Sequence, residues 1–353
     1  MRKFALIFLF FVTLVACQRR PLFYAQRESV EVMVKVLWKV AVYPDGMKPD
    51  SITLYYFKDG EYYMQQTTAN VDSCSVQLEA GRYRLLMITQ SPEEYANLEF
   101  DNMTDLDKAT VRAVETKSSW YTRAENEELI ANPEMMAVGM SDEFEVTEEM
   151  IDEYYQYQRE QEQVLTKADD STPVVKYYTI RVPIYPKNVV SQFWVTIYSD
   201  NVDVLKSVRA STSGMAKTFE LTQDITGAGE ATQLISQWSV TTDDPENRIG
   251  HLDGRITTFG FPNGEEPSIM RDSTLNVSTL LIDNETVERY VFNVGDKITS
   301  ETPPLGYRAL YRLIFGSVTE PAIHPQDVVP VGGKGGFEAT VDDWENVDVD
   351  ILM

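Results

Sequence analysis

Val30, Val32, Val34 and Val36 occupy every second position, with Glu31, Met33 and Lys35 between them. A period of two puts the four valines on one face and the polar residues on the other, so the segment reads as a half-buried β-strand. A turn at Tyr43-Pro44-Asp45-Gly46 follows, then a strand over Ser51–Phe57 closed by Lys58-Asp59-Gly60-Glu61. Val76-Gln77-Leu78 leads through Glu79-Ala80-Gly81 into Tyr83–Ile88. Strands at such short intervals, punctuated by Gly and Asp, point to a sandwich.

Helical signals are few. Thr104-Asp105-Leu106-Asp107 has the form of a helix cap, predicting a short helix over Ala109–Val114. A longer helix is expected from Thr147 to about Leu165, with Met150, Tyr154, Tyr157 and Val164 near one face and an exposed remainder rich in Glu and Gln. Residues 166–173, rich in Asp, Ser and Thr, read as a linker. Strands resume at Tyr177–Pro183 and Gln192–Tyr198, with further ones expected at Gly254–Phe261, Thr274–Ile282, Val287–Val294 and Phe337–Val341. Val347, Val349, Ile351 and Met353 alternate with Asp348, Asp350 and Leu352, predicting a final strand. The class is mainly β, two sandwiches in series with short helical insertions: 28–165 as the N-terminal domain and 174–353 as the C-terminal one.

Ahead of these domains stands Arg2-Lys3 and an apolar run from Phe4 to Ala16. That run is shorter than the ~20 residues of a membrane-spanning helix and has the layout of a signal peptide. Leu14-Val15-Ala16-Cys17 matches a bacterial lipobox, so residues 1–16 are expected to be removed and Cys17 acylated, with 17–27 as the lipidated tether. Attached acyl chains contribute roughly 0.8 kcal/mol per buried methylene and would hold the chain stably to a membrane. Acylation of Cys17 leaves Cys74 as the single other cysteine, so no internal disulfide forms and the fold must rest on a real core. Without Arg2 and Lys3 there are 29 basic against 55 acidic residues. A surface this acidic is repelled by phosphate and argues against nucleic acid as a partner.

Residues with catalytic potential are sparse. His251 lies in a turn entering a strand and His324 in a Pro-rich loop, and both read as loop or surface histidines. Two histidines and one remaining cysteine are too few for the usual zinc site. Cys74 reads as a small buried hydrophobe. Asp342, Asp343, Asp348 and Asp350 lack the order of a calcium loop, and Gly332–Gly336 lacks the spacing of a phosphate loop. No cofactor is expected. Asp50-Ser51-Ile52, Asp170-Ser171-Thr172 and Asp272-Ser273-Thr274 look like the acceptor triplet of Bacteroidota O-glycosylation, on Ser51, Ser171 and Ser273.

Several segments together resemble the fimbrillin-like lipoproteins of Bacteroidales, which include fimbrial anchor proteins and relatives with domains of unknown function. They are Cys17-Gln18-Arg19-Arg20-Pro21-Leu22, Asn132–Met136, the turn-like Ala210–Ala216, Phe292–Ile298 and Gly336–Trp344. The resemblance implies two transthyretin-like β-sandwiches, attachment to the outer membrane, a role in building or anchoring surface fibres, and no catalytic residues. Fimbrial subunits would then be partners, met by strand pairing at Val347, Val349, Ile351 and Met353. The alternative is a lipidated surface glycan-binding protein for nutrient uptake, which requires Trp120, Tyr121 and the Tyr154–Tyr157 group in one exposed patch. A hydrolase would need paired acids, or His251 beside a nucleophile. Cys17→Ser is expected to abolish incorporation of labelled palmitate and release the chain from the membrane fraction.

Overall fold

The computed structural model describes residues 28–39, 48–121, 127–166, 180–265 and 273–330. The alternating valines form β1 (Ser29–Val36), in which Val30, Val32 and Val34 are wholly buried. β1 lies between β4 (Ser73–Glu79), antiparallel with Val32 opposite Val76, and β11 (Ile180–Ile184), parallel with Val34 opposite Val182. Facing residues come from a second sheet, in the order β9 (Ala137–Met140), β5 (Gly81–Thr89), β2 (Ile52–Lys58) and β3 (Glu61–Thr68), with β10 (Phe144–Val146) also on β5. β2 is buried from Ile52 to Phe57 without alternation, as a strand covered on both faces must be. Val30, Val34, Leu54, Tyr56, Leu78, Tyr83 and Leu85 share one core, and α1 (Glu148–Thr166) adds Ile151 and Tyr154 to it. Thr147 caps α1, its Oγ1 accepting from the Met150 amide at 3.2 Å.

The chain divides into two compact units, neither of them continuous in sequence. Among the described residues, the first joins 50–87, 139–166 and 180–185 to 28–38, and the second joins 88–121 and 127–138 to 186–265 and 273–330. This differs from a contiguous division at 166–173. Parallel pairing brings β11 to β1, so residues beyond the expected linker belong with the first unit. β6 (Leu98–Asp101), β7 (Thr110–Ala113) and β8 (Leu129–Ile130) belong with the second, because β7 pairs with β15 (Thr218–Glu220) and β8 with β17 (Glu230–Ile235).

The second unit is a sandwich. One sheet runs β18 (Trp238–Asp244), β19 (Ile249–Thr258), β13 (Ser191–Ser199), β23 (Leu310–Phe315), β22 (Thr299–Glu301). The other runs β21 (Val287–Asn293), β20 (Thr274–Leu281), β14 (Leu205–Ala216), β17, β8. A small sheet orders β16 (Ile225–Thr226), β15, β7 and β6, and β12 (Lys187–Asn188) pairs with Ala137 and Val138. Phe193, Val195, Ile197, Leu252 and Leu313 from the first sheet share a core with Ala210, Leu275, Val277 and Leu281 from the second. Fully burying side chains of this size contributes about 1.5–3 kcal/mol each. Phe292 stacks on Phe315 at 4.2 Å within this unit.

Two local expectations are corrected. Ala109–Val114 contains strand β7, not a helix: Asp105 Oδ1 accepts from the Asp107 amide and forms a turn, after which Val111 and Ala113 alternate into the core. Ala210–Ala216 is strand rather than turn, interrupted by a register shift between Thr212 and Met215, where Gly214 has a φ of +78°. The segments Phe337–Val341 and Val347–Met353 lie outside the described residues. A side chain at Gly254 would meet the Trp238 ring at 2.8 Å and Ile235 at 2.9 Å. Gly254→Ala is therefore expected to destabilise the protein by about 1–3 kcal/mol in urea unfolding.

Candidate functional site

Cys74 and the two histidines are held in structural contacts. Cys74 is buried on β4 with its Sγ 4.0 Å from the Tyr56 hydroxyl, and burial pushes the pKa of both groups up. His251 sits on β19 between two carboxylates, Nδ1 at 2.7 Å from Asp243 and Nε2 at 3.3 Å from Asp253. Asp253 also accepts from Thr196 Oγ1 at 2.6 Å, so both ring nitrogens and one acid serve to link β18, β19 and β13. His324 pairs through Nδ1 with Asp200 at 2.6 Å. Among the described residues no group of His, Cys, Asp and Glu is arranged to hold a metal ion, and no helix is long and apolar enough to cross a membrane.

The exposed aromatic patch that the glycan-binding alternative requires is not assembled among the described residues. Tyr154 is 7% exposed and packs in the core beneath α1. Trp120 and Tyr121 lie in the second unit, half-buried, with rings edge to face at 5.9 Å. Of the acceptor serines, Ser51 is half-buried just before β2, and Ser273 is buried before β20 with its Oγ unpartnered. Cys17, Ser171, Val347, Val349, Ile351 and Met353 lie outside the described residues.

What the structure adds is a set of open strand edges. Each end strand of a sheet carries a row of backbone donors and acceptors, and natural edges are usually blunted by charge, proline or a bulge. β21 carries Glu288 and Arg289 at its centre, and β18 ends in Asp243-Asp244. β3 differs in charge: after Glu61 it reads Tyr-Tyr-Met-Gln-Gln-Thr-Thr, with no charge and no proline, and its register with β2 shifts at Tyr63. Its inner side is fastened to β2, Thr53 Oγ1 lying 3.0 Å from Thr67 Oγ1 and the Tyr56 hydroxyl donating to Gln66 Oε1 at 3.0 Å. Tyr63 packs edge to face on Tyr83 at 5.9 Å, which in turn stacks on Phe144. Tyr62 and Tyr63 remain 39% and 36% exposed. Sequence reading missed β3, although Asp59-Gly60, with φ of +51° and +89°, is the kind of dipeptide that turns one strand back on the next.

Residues 16–236 match the family model of a domain of unknown function, DUF5119. The chain belongs to this family. No curated protein matches the DUF5119 chain in sequence. A crystal structure of a provisionally named adhesin from Bacteroides ovatus is similar with a TM-score of 0.54 and 13% identity, over 89% of this chain and 98% of that one. The fimbrial anchor protein Mfa2 of Porphyromonas gingivalis aligns with a TM-score of 0.43 and 12% identity, over 81% of this chain and 90% of its own. At 13% identity the similarity to the Bacteroides ovatus protein is one of fold, and it spans nearly the whole of both chains. Burial of Cys74 makes a simple prediction: in a Cys17→Ser chain a thiol reagent such as DTNB is expected to find no reactive group at pH 8, and one after unfolding in urea.

Proposed function

We propose that the chain is a non-enzymatic, lipid-anchored fimbrial or adhesion subunit of the outer membrane, an anchor or minor component that engages partner subunits by strand pairing. The supporting observation is the β-sandwich architecture shared with the Bacteroides ovatus adhesin along almost the full length of both chains. Membership of DUF5119 and the lipobox at Cys17 fit an envelope protein tethered by lipid. The uncharged β3 edge supports strand pairing, since backbone groups on a sheet edge supply affinity and the side chains on alternate positions supply selectivity. The alternating Val347, Val349, Ile351 and Met353 are the strand this chain would contribute to a partner.

Two variants test the reading in cells carrying the lipidated protein. Deletion of residues 347–353 and the substitution Gln65→Lys are each expected to leave membrane attachment and the melting temperature unchanged while reducing recovery of partner subunits after crosslinking. Gln65 is exposed on β3, so a lysine there burdens the edge and not the core. Unaltered partner recovery in both variants would refute strand pairing as the mode of engagement.

A further inference from the structure

We propose that the second unit carries a binding site for an acidic saccharide, in a cleft of ≈ 600 Å³ walled by Trp120. Its volume falls within the range of about 300–1,000 Å³ typical of small-ligand sites. The floor is rigid. β8 pairs in parallel with β17, and the chain before Lys117 is bonded back to β8, the Thr116 amide to the Leu129 carbonyl at 2.9 Å and the Ala131 amide to the Val114 carbonyl at 2.8 Å.

Trp120 is held in place from three directions. Ser118 Oγ accepts from the amides of Trp120 and Tyr121 at 3.3 Å each, a turn that lifts the indole to the rim. Tyr121 meets the indole edge to face, and its hydroxyl donates to Glu127 at 2.7 Å, which also accepts from Thr232 at 2.6 Å. The Arg209 guanidinium lies 5.5 Å from the indole centroid. An aromatic ring fixed in this way presents its apolar surface with little rotamer entropy left to lose on binding.

The polar wall is fixed as well. Gln233, fully buried, donates to the Asn132 Oδ1 at 3.1 Å and to the Thr257 carbonyl at 3.0 Å, which orients the Asn132 side chain at the cleft. Hydroxyls from Thr116, Ser119 and Ser236 line the remainder. An aromatic plate beside hydroxyls and an oriented amide suits a ligand with C–H faces and many hydroxyls, which is the chemistry of a sugar ring.

Charge then narrows the class. In a chain with 55 acidic residues, no carboxylate lines this cleft among the described residues, and Lys117 is the charged residue among them that does. Lys117 lines the cleft and Arg209 lies over the Trp120 ring, and neither has an ion-pair partner among the described residues. A carboxylate or sulfate on the sugar finds Lys117 on the cleft wall, with the Arg209 charge held against the indole.

The test is a glycan array of sialylated, uronate-containing and sulfated oligosaccharides printed beside their neutral parents, followed by calorimetric titration of the strongest acidic glycan and its parent. The full chain is expected to retain acidic glycans in preference to the parents. Trp120→Ala should weaken binding about tenfold or more, and Lys117→Met should remove the preference for the acidic member. Ser236→Phe, an exposed position at the rim, should block the cleft and guards against misfolding of the tryptophan variant. No retention of any acidic glycan, equal retention of acidic and neutral forms, or wild-type affinity in both Trp120→Ala and Ser236→Phe would overturn the proposal. None of these residues lies on β3, so partner recovery by strand pairing is expected to be unchanged in all three variants.

Discussion

Burial of one face of each sheet against another is the constraint on which this molecule rests. Its described cysteine, Cys74, is free and buried, so no covalent link holds sheet to sheet there. In the second unit β13 carries most of that burden. It pairs with β19 over nine positions from Ser191 to Ser199 and in parallel with β23 over six from Gln192 to Ile197, while Phe193, Val195 and Ile197 are completely buried beneath it. A central strand of this kind has no freedom to slip, because a shift of one residue would turn the three core side chains to solvent and bring Trp194, Thr196 and Tyr198 inward.

The same constraint explains how the polar residues are spent. His251, Asp253 and Thr196 lie on the outward face of the sheet whose inward face is core, and they bind β18, β19 and β13 to one another. Trp194, on that face, lies against Arg255 at 4.2 Å and Arg312 at 5.6 Å, its cross-strand neighbours on either side. Such pairs stabilise a sheet surface by about 0.2–1 kcal/mol each. Cys74, His251 and His324, which resemble catalytic groups in the sequence, thus have structural partners.

Legibility in the sequence followed the strength of local pattern. β1, β13 and β20 were readable because their inward-facing residues recur at every second position over most of the strand, as a half-buried strand requires. α1 was readable from the spacing of its apolar residues and its length, and Ile151 and Tyr154 are buried among its described side chains. β7 was misread because a capping pattern is local, and Asp105 satisfied the same amides in a turn. β3 and β18 were missed since exposed edge strands need no apolar alternation at all. The cleft beside Trp120 was legible only as an aromatic pair. Its polar wall is assembled from Thr116, Asn132 and Ser236, residues with no common motif, and the buried Gln233 that orients one of them carries no signal in sequence.

By itself the sequence determined the class, mainly β, because side-chain alternation is a property of the chain. It also determined the acidity, which is read residue by residue. Tertiary structure alone decided that β11 joins β1 and that Ile88–Val138 belongs with the second unit, since strand partnership between distant segments depends on which edges meet and not on either segment's own pattern. It alone decided which strands form sheet edges and where the cleft beside Trp120 forms, because both arise from the packing of residues far apart in the sequence.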